Sequence, residues 1–378
     1  MKKYCAALAA AVVLVVPGFP VGQMQIASVE ASYHFANYLG APPIHIFRSA
    51  QKSPSGLTPL EIKHIYNLPL TGGASSTIAL VEAYSAPTLE SDLGVFDDTY
   101  SLAPCTVKNK CLEIHSMGSG VAANGGWALE TTLDVEWAHA IAPQAKILVV
   151  QAKTQSGANL LAALDYAAAR SDVDAISISW GGPEFPEETS LDGHFLSASG
   201  AAFFASSGDH GAGTSWPAAS PNVVAVGGTS LELLPSGSLV SESAWAGSGG
   251  GVSAYEPEPD YQRAYNIPKA SGHRAIPDVA YNANPRSGYA VYKSNGATKN
   301  GWYVVGGTSA GAPQWAAIYA IGRSATLPVM YGDKASSGTL QYFRDIASGA
   351  NGTCKYYCDA RKRYDYVTGL GTPLTVHF

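Results

Sequence analysis

The chain has 378 residues, of which 46% are hydrophobic and 14% charged, with a formal net charge of -6. That length and apolar content bury a large core in two domains or one large α/β unit. The mildly acidic balance offers no basic field for nucleic acid. Low charge with 40 glycines and 21 tyrosines suits an extracellular hydrolase.

Lys2-Lys3 and the apolar run from Tyr4 to Val16, closed by Pro17-Gly18-Phe19-Pro20, read as a secretory signal over residues 1–23. The run is too short to span a bilayer, and a retained N-terminal anchor is the rival reading. Residues 24–56 carry Pro42-Pro43 and Pro54-Ser55-Gly56 without clear periodicity and are expected as a leader or spacer. The folded domain is expected over 57–378, opening on Thr58-Pro59-Leu60-Glu61, a capping box with proline at the first helical position.

Apolar strands at 77–81, 146–150, 175–179, 201–205 and 223–226 then alternate with helix candidates at 129–142, 159–170 and 191–199. Continuous apolar strands separated by helices predict an α/β fold with a mainly parallel sheet covered on both faces. Ligand sites in such sheets gather at the carboxyl ends of the strands. Those ends carry Glu82, Trp180-Gly181-Gly182 and Ser206-Ser207-Gly208-Asp209.

Four cysteines follow the signal, which itself holds Cys5. Sequence proximity favours Cys105 with Cys111 and Cys354 with Cys358, although three connectivities are open. No CxxC or paired-histidine spacing accompanies them to favour zinc.

Gly306-Gly307-Thr308-Ser309-Ala310-Gly311-Ala312-Pro313 precedes an apolar helical run and makes Ser309 a candidate nucleophile at a helix N-terminus, where N–H groups stabilise an oxyanion. A turn whose serine merely caps the helix is the plainer alternative. Gly307-x-Ser309-x-Gly311 also fits the esterase elbow, with His377 and Asp345 or Asp365 completing a triad. A subtilisin triad would need a helical histidine in a setting such as His-Gly-Thr, which the nine histidines lack. Instead Glu130 and Asp134 are four apart, so they share one helix face and can share a proton.

Taken together, several motifs resemble the sedolisins, the serine-carboxyl peptidases with a subtilisin-like fold. They are Glu130-Thr-Thr-Leu-Asp134 with Ala142-Pro143, Ser207-Gly208-Asp209, Trp216-Pro217-Ala218 with Val226-Gly227-Gly228-Thr229, Gly249-Gly250-Gly251, Pro277-Asp278-Val279 and Gly306-Gly307-Thr308-Ser309-Ala310. The resemblance runs from about Thr58 to the C-terminus. It implies that Ser309 is the nucleophile, Glu130 its general base, Asp134 the group orienting Glu130, and Asp209 part of the oxyanion hole. It further implies that Glu82 is an extra carboxylate bonded to this set and Trp180 its neighbour. Gly181-Gly182 and Gly249 to Gly251 would pair with an extended peptide.

The chemistry agrees with acid operation. A histidine would be protonated there, whereas a glutamate with a reference pKa of about 4.3 still accepts a proton. Asp209 would donate to an oxyanion only when protonated.

Near the C-terminus, Asp345, Ile346, Arg361, Arg363 and Asp365 resemble the family's calcium site, Asp345 and Asp365 giving side chains and the other three carbonyl oxygens. Arg361 and Arg363 depart from the glycines usual in the family and bring positive charge near the cation. The family's large prodomain has no counterpart of its size between the expected signal and domain. Asn351-Gly352-Thr353 matches a glycosylation sequon, with a chance match as the alternative.

The expected protein is therefore a secreted, monomeric acid endopeptidase acting on proteins or peptides, free of nucleic acid and of membrane once the signal is removed. A tripeptidyl-peptidase of the same family, the elbow esterase and a non-catalytic peptide binder are the alternatives.

Overall fold

The computed structural model describes residues 34–294, 300–332 and 341–378. The expected signal peptide and residues 24–33 of the expected leader lie outside the described residues. The strands used below are β1 (His45–Gln51), β2 (Thr77–Ala83), β3 (Leu112–Ser116), β4 (Lys146–Ala152), β5 (Ala175–Ile178), β6 (Gly182–Pro183), β7 (Ala202–Ser206), β8 (Ser215–Trp216), β9 (Val223–Leu233), β10 (Leu239–Ala244), β11 (Gly251–Pro257), β12 (His273–Ile276), β13 (Val279–Asn282), β14 (Tyr289–Lys293) and β15 (Gly301–Gly306). The helices used below are α1 (Pro59–Ile65), α2 (Leu89–Tyr100), α3 (Gly125–Ile141), α4 (Gly157–Ala169), α5 (Asp260–Tyr265) and α6 (Gly311–Gly322).

The main sheet runs β10-β9-β7-β5-β2-β4-β3, with β13 also paired to β9. Every pairing in it is parallel except that of β10 with β9. Side chains alternate across a strand, so β2 feeds two cores. Ile78 and Leu80 pack with Leu133 of α3 and Trp315 of α6, whereas Ala79 and Val81 pack with Leu160 and Leu164 of α4. A fully buried leucine such as Leu80 contributes roughly 1.5–3 kcal/mol. This is the expected subtilisin-like α/β layering, with helices on both faces.

Local signals explain most boundaries. Thr58 and Glu61 close the capping box on α1, with Pro59 at its start. Asn124 accepts from Gly126 and Trp127 N–H, so α3 begins four residues before the expected Leu129 despite its two leading glycines. The helix expected over 191–199 is instead a 3-10 helix over Glu188–Phe195. The hydroxyls of Ser197 and Ser199 donate to Ala168 O and Val173 O, drawing the chain out of the helical path.

Residues 34–56, expected as a leader or spacer, pack on the domain. β1 pairs antiparallel with β15, the strand that leads into Ser309. The two disulfides join Cys105 to Cys111 and Cys354 to Cys358. Asn351 is buried and donates from its side-chain amide to Ser248 O, so the sequon is not an acceptor in this fold. Among the described residues no helix is long and apolar enough to cross a membrane.

Candidate active site

Glu82 near the end of β2, Ser179 just past β5, Asp209 beyond β7 and Ser309 beyond β15 converge over one face of α3. Ser309 sits in a single 3-10 turn, Thr308–Ala310, that opens α6. The residue before the turn, Gly307, has φ 127°, and a Cβ there would lie 2.0 Å from Pro43 O and 2.6 Å from Asp209 Oδ2. Only glycine permits both approaches.

Glu130 and Asp134 of α3 are buried with Glu82, all three 0% exposed. Asp134 Oδ2 accepts from Ser179 Oγ at 2.6 Å, and Ser179 Oγ also lies 3.3 Å from Ser309 O. Burial pushes the Asp134 carboxyl up to about 7, against hydrogen bonds from Ser179 and Glu82 that favour its charged form. Burial also raises Glu82 well above the usual carboxylate range, reinforced by Asp134 and Glu130. Burial and Asp134 also raise Glu130 above the usual carboxylate range. Three buried carboxyls that raise one another in this way cannot all ionise, and they titrate together.

On the other side of Ser309, Asp209 Oδ1 accepts from Thr308 N and Thr308 Oγ1, each at 2.8 Å. Thr308 Oγ1 in turn accepts from Gly208 N at 3.1 Å. Burial raises the Asp209 carboxyl above the usual aspartate range, while His45 and Thr308 pull it down. Trp180 is buried beside β2 and donates to Val81 O.

The glycines expected to pair with a peptide divide into two groups. Gly181 exchanges both backbone hydrogen bonds with Ala41, at 3.0 and 3.1 Å, and Gly182 lies against the Tyr38 ring. Gly249 N donates to Gly208 O and Gly250 exchanges bonds with Gly213, so this pair shapes the loop that carries Asp209.

The segment before β1 thus lies along the cleft in extended form. The Ser309 hydroxyl donates to Pro43 O at 2.8 Å, which leaves both Glu130 oxygens without a donor. His45 Nε2 lies 3.1 Å from Asp209 Oδ2, and this contact raises the His45 pKa. A cavity of about 510 Å³ remains between this segment and the Asp209 loop. Sequence reasoning missed Ser179, His45 and Pro43. A polar residue closing the apolar Ile176-Ser177-Ile178 run was the available signal for Ser179.

His377 is exposed near the C-terminus, where its backbone N–H donates to Thr375 Oγ1. Asp345 and Asp365 are held by residues 361–368. The elbow triad is therefore not assembled.

Asp345 Oδ2 accepts from Arg363 N at 2.9 Å and Asp365 Oδ2 from Arg361 N at 3.0 Å, so both carboxylates close on the same three residues. Asp345 Oδ1 is buried without a hydrogen-bond partner. Arg363 adopts φ 67°, the left-handed conformation that a glycine there would take readily. The Arg361 guanidinium turns aside to Asp359 and to the Tyr356 ring, 4.5 Å from its centroid. An all-oxygen donor set with an orphaned carboxylate oxygen fits a hard cation. Cys105, Cys111 and His139 also cluster at ligand spacing, but their sulfurs are joined in a disulfide and offer no thiolate.

Residues 117–334 match the subtilase family. The chain is 33% identical over 375 residues to kumamolisin of Bacillus sp. (strain MN-32), covering 87% of this chain and 64% of that protein. It is 26% identical over 373 residues to sedolisin of Pseudomonas sp. (strain 101), covering 86% and 62%. It thus spans a little under two thirds of the length of these relatives. The solved structure of Pseudomonas sedolisin, a serine-carboxyl proteinase complexed with two molecules of pseudo-iodotyrostatin, superposes with a TM-score of 0.70 at 27% identity, covering 85% of this chain and 96% of that one. The chain belongs to the subtilase family and, within it, to the sedolisins.

Proposed function

We propose that this chain is a secreted, monomeric serine-carboxyl endopeptidase that cleaves proteins and peptides in acid. The buried cluster of Glu82, Asp134 and Glu130 beside Ser309, with Asp209 bonded to Thr308 next to it, carries the reading. Ser309 Oγ attacks the peptide carbonyl carbon and its proton passes to Glu130. Asp134, bonded to Ser179 and Glu82, orients Glu130. Protonated Asp209 donates to the tetrahedral oxyanion. Glu130 returns the proton to the leaving amine, and water, deprotonated by Glu130, then hydrolyses the acyl-enzyme and regenerates Ser309.

Internal cleavage is favoured over release of N-terminal tripeptides by the cleft segment. With Pro43 O at Ser309, at least six residues, Tyr38 to Pro43, fit on the N-terminal side without a wall after the third. Mass spectrometry of an unfolded protein digested by the purified chain tests this. Internal fragments of mixed length are expected, whereas a ladder of tripeptides would remove the endopeptidase reading.

Ser179→Ala is expected to lower kcat about tenfold with KM nearly constant, because it leaves a buried Asp134 oxygen without its donor, worth about 1–3 kcal/mol. An unchanged kcat would show that other groups orient Asp134.

Calcium is the cation proposed for the site of Asp345, Asp365 and the carbonyls of Ile346, Arg361 and Arg363. Bound there, it would tie two C-terminal segments together. A chelator should lower Tm by about 5 °C, and added calcium but not magnesium should restore it. Superimposable melts would exclude the site.

A further inference from the structure

The segment in the cleft also shows which side chains the cleft grips. Its backbone forms a ladder that any extended peptide could repeat. Gly157 N donates to Tyr38 O and Gly40 N to Gln155 O, both at 2.9 Å, and Ala41 exchanges two bonds with Gly181 before Pro43 O reaches Ser309. In this register Pro43 is the first residue on the acyl side of the bond presented, and Tyr38 the sixth.

Leu39 and Ala41 face outward, but Tyr38 is only 7% exposed. Its ring meets Trp216 edge-on at 5.0 Å and 88° and lies 5.7 Å from Phe185, and its hydroxyl donates to Trp216 O at 2.7 Å. A Cβ on Gly182 would approach that ring to 3.0 Å, so glycine makes room for it. Gly40 completes the signature, since a Cβ there would lie 2.5 Å from Leu160 Cδ1.

We infer that Phe185, Trp216 and Gly182 form a remote substrate subsite for an aromatic side chain six residues before the cleaved bond, with glycine favoured at the fourth. This rests on the peptidase reading given above. It extends recognition well beyond the residues flanking Ser309, and the tyrosine hydroxyl adds a polar contact that phenylalanine lacks.

Two fluorogenic decapeptides, both with glycine fourth before the cut and either tyrosine or alanine sixth, test the inference with the full chain in acid at its steady rate. The tyrosine peptide should have a kcat/KM about tenfold higher or more, given edge-on ring contacts and burial. Phe185→Leu, or Gly182→Ala should the first variant fail to fold, should reduce that ratio to below about threefold. Equal rates for the two peptides in the wild-type chain would overturn the subsite while leaving the peptidase intact. Cleavage of neither peptide nor of an unfolded protein would remove the peptidase reading and the subsite with it.

Discussion

Replacing Ser309 with alanine is expected to reduce turnover of unfolded protein by about 10⁵-fold or more, the scale seen when a serine peptidase loses its nucleophile. The fold should survive. Ser309 lies in a 3-10 turn set by Gly307, and the one contact that its hydroxyl donates is to Pro43 O in the cleft segment. Loss of that hydrogen bond costs about 1 kcal/mol, a small fraction of a domain's stability. Near-native circular dichroism without activity is the expected measurement. Retained turnover would assign the chemistry to another group.

Asp209 carries the second large effect. Asp209→Ala should lower kcat by about 10²–10³, the usual loss on removing one oxyanion donor. Asp209→Asn should keep part of the activity, because an amide also donates, and should move the alkaline limb of the pH profile upward. The sign follows from the burial that raises the Asp209 pKa. The protonated donor persists above the ordinary aspartate range and is lost as pH rises through the raised value, whereas asparagine does not titrate. His45 favours the ionised form, so the cleft segment and an oxyanion compete for the same carboxyl. An alkaline limb unmoved in Asp209→Asn would mean that another group sets it.

The parallel core was legible because strands buried on both faces, such as Thr77–Ala83, read as unbroken apolar runs. Glu130 and Asp134 stood out because they are four apart and so share one helix face; the structure adds that α3 is buried from Trp127 to Ile141, where ionisable residues demand partners. What lay hidden was held by backbone rather than by pattern. The cleft segment pairs through Gly40, Ala41 and Gly181, contacts that impose no periodicity on the sequence. Its relation to Ser309 depends on β1 pairing with β15, some 250 residues later in the chain. The Glu188–Phe195 turn was misjudged because serine contacts with other elements override a helical run. The sequon at Asn351 could not reveal that its amide points inward to Ser248.

The central claim is that carboxyl groups, not a histidine, run the chemistry at Ser309. Its most direct test is the rate of hydrolysis of an unfolded protein by the purified chain from strongly acidic to neutral pH. An optimum in acid, with activity lost before neutrality as Asp209 ionises, is the predicted result. An optimum at neutral pH would contradict the roles given to Glu130 and Asp209.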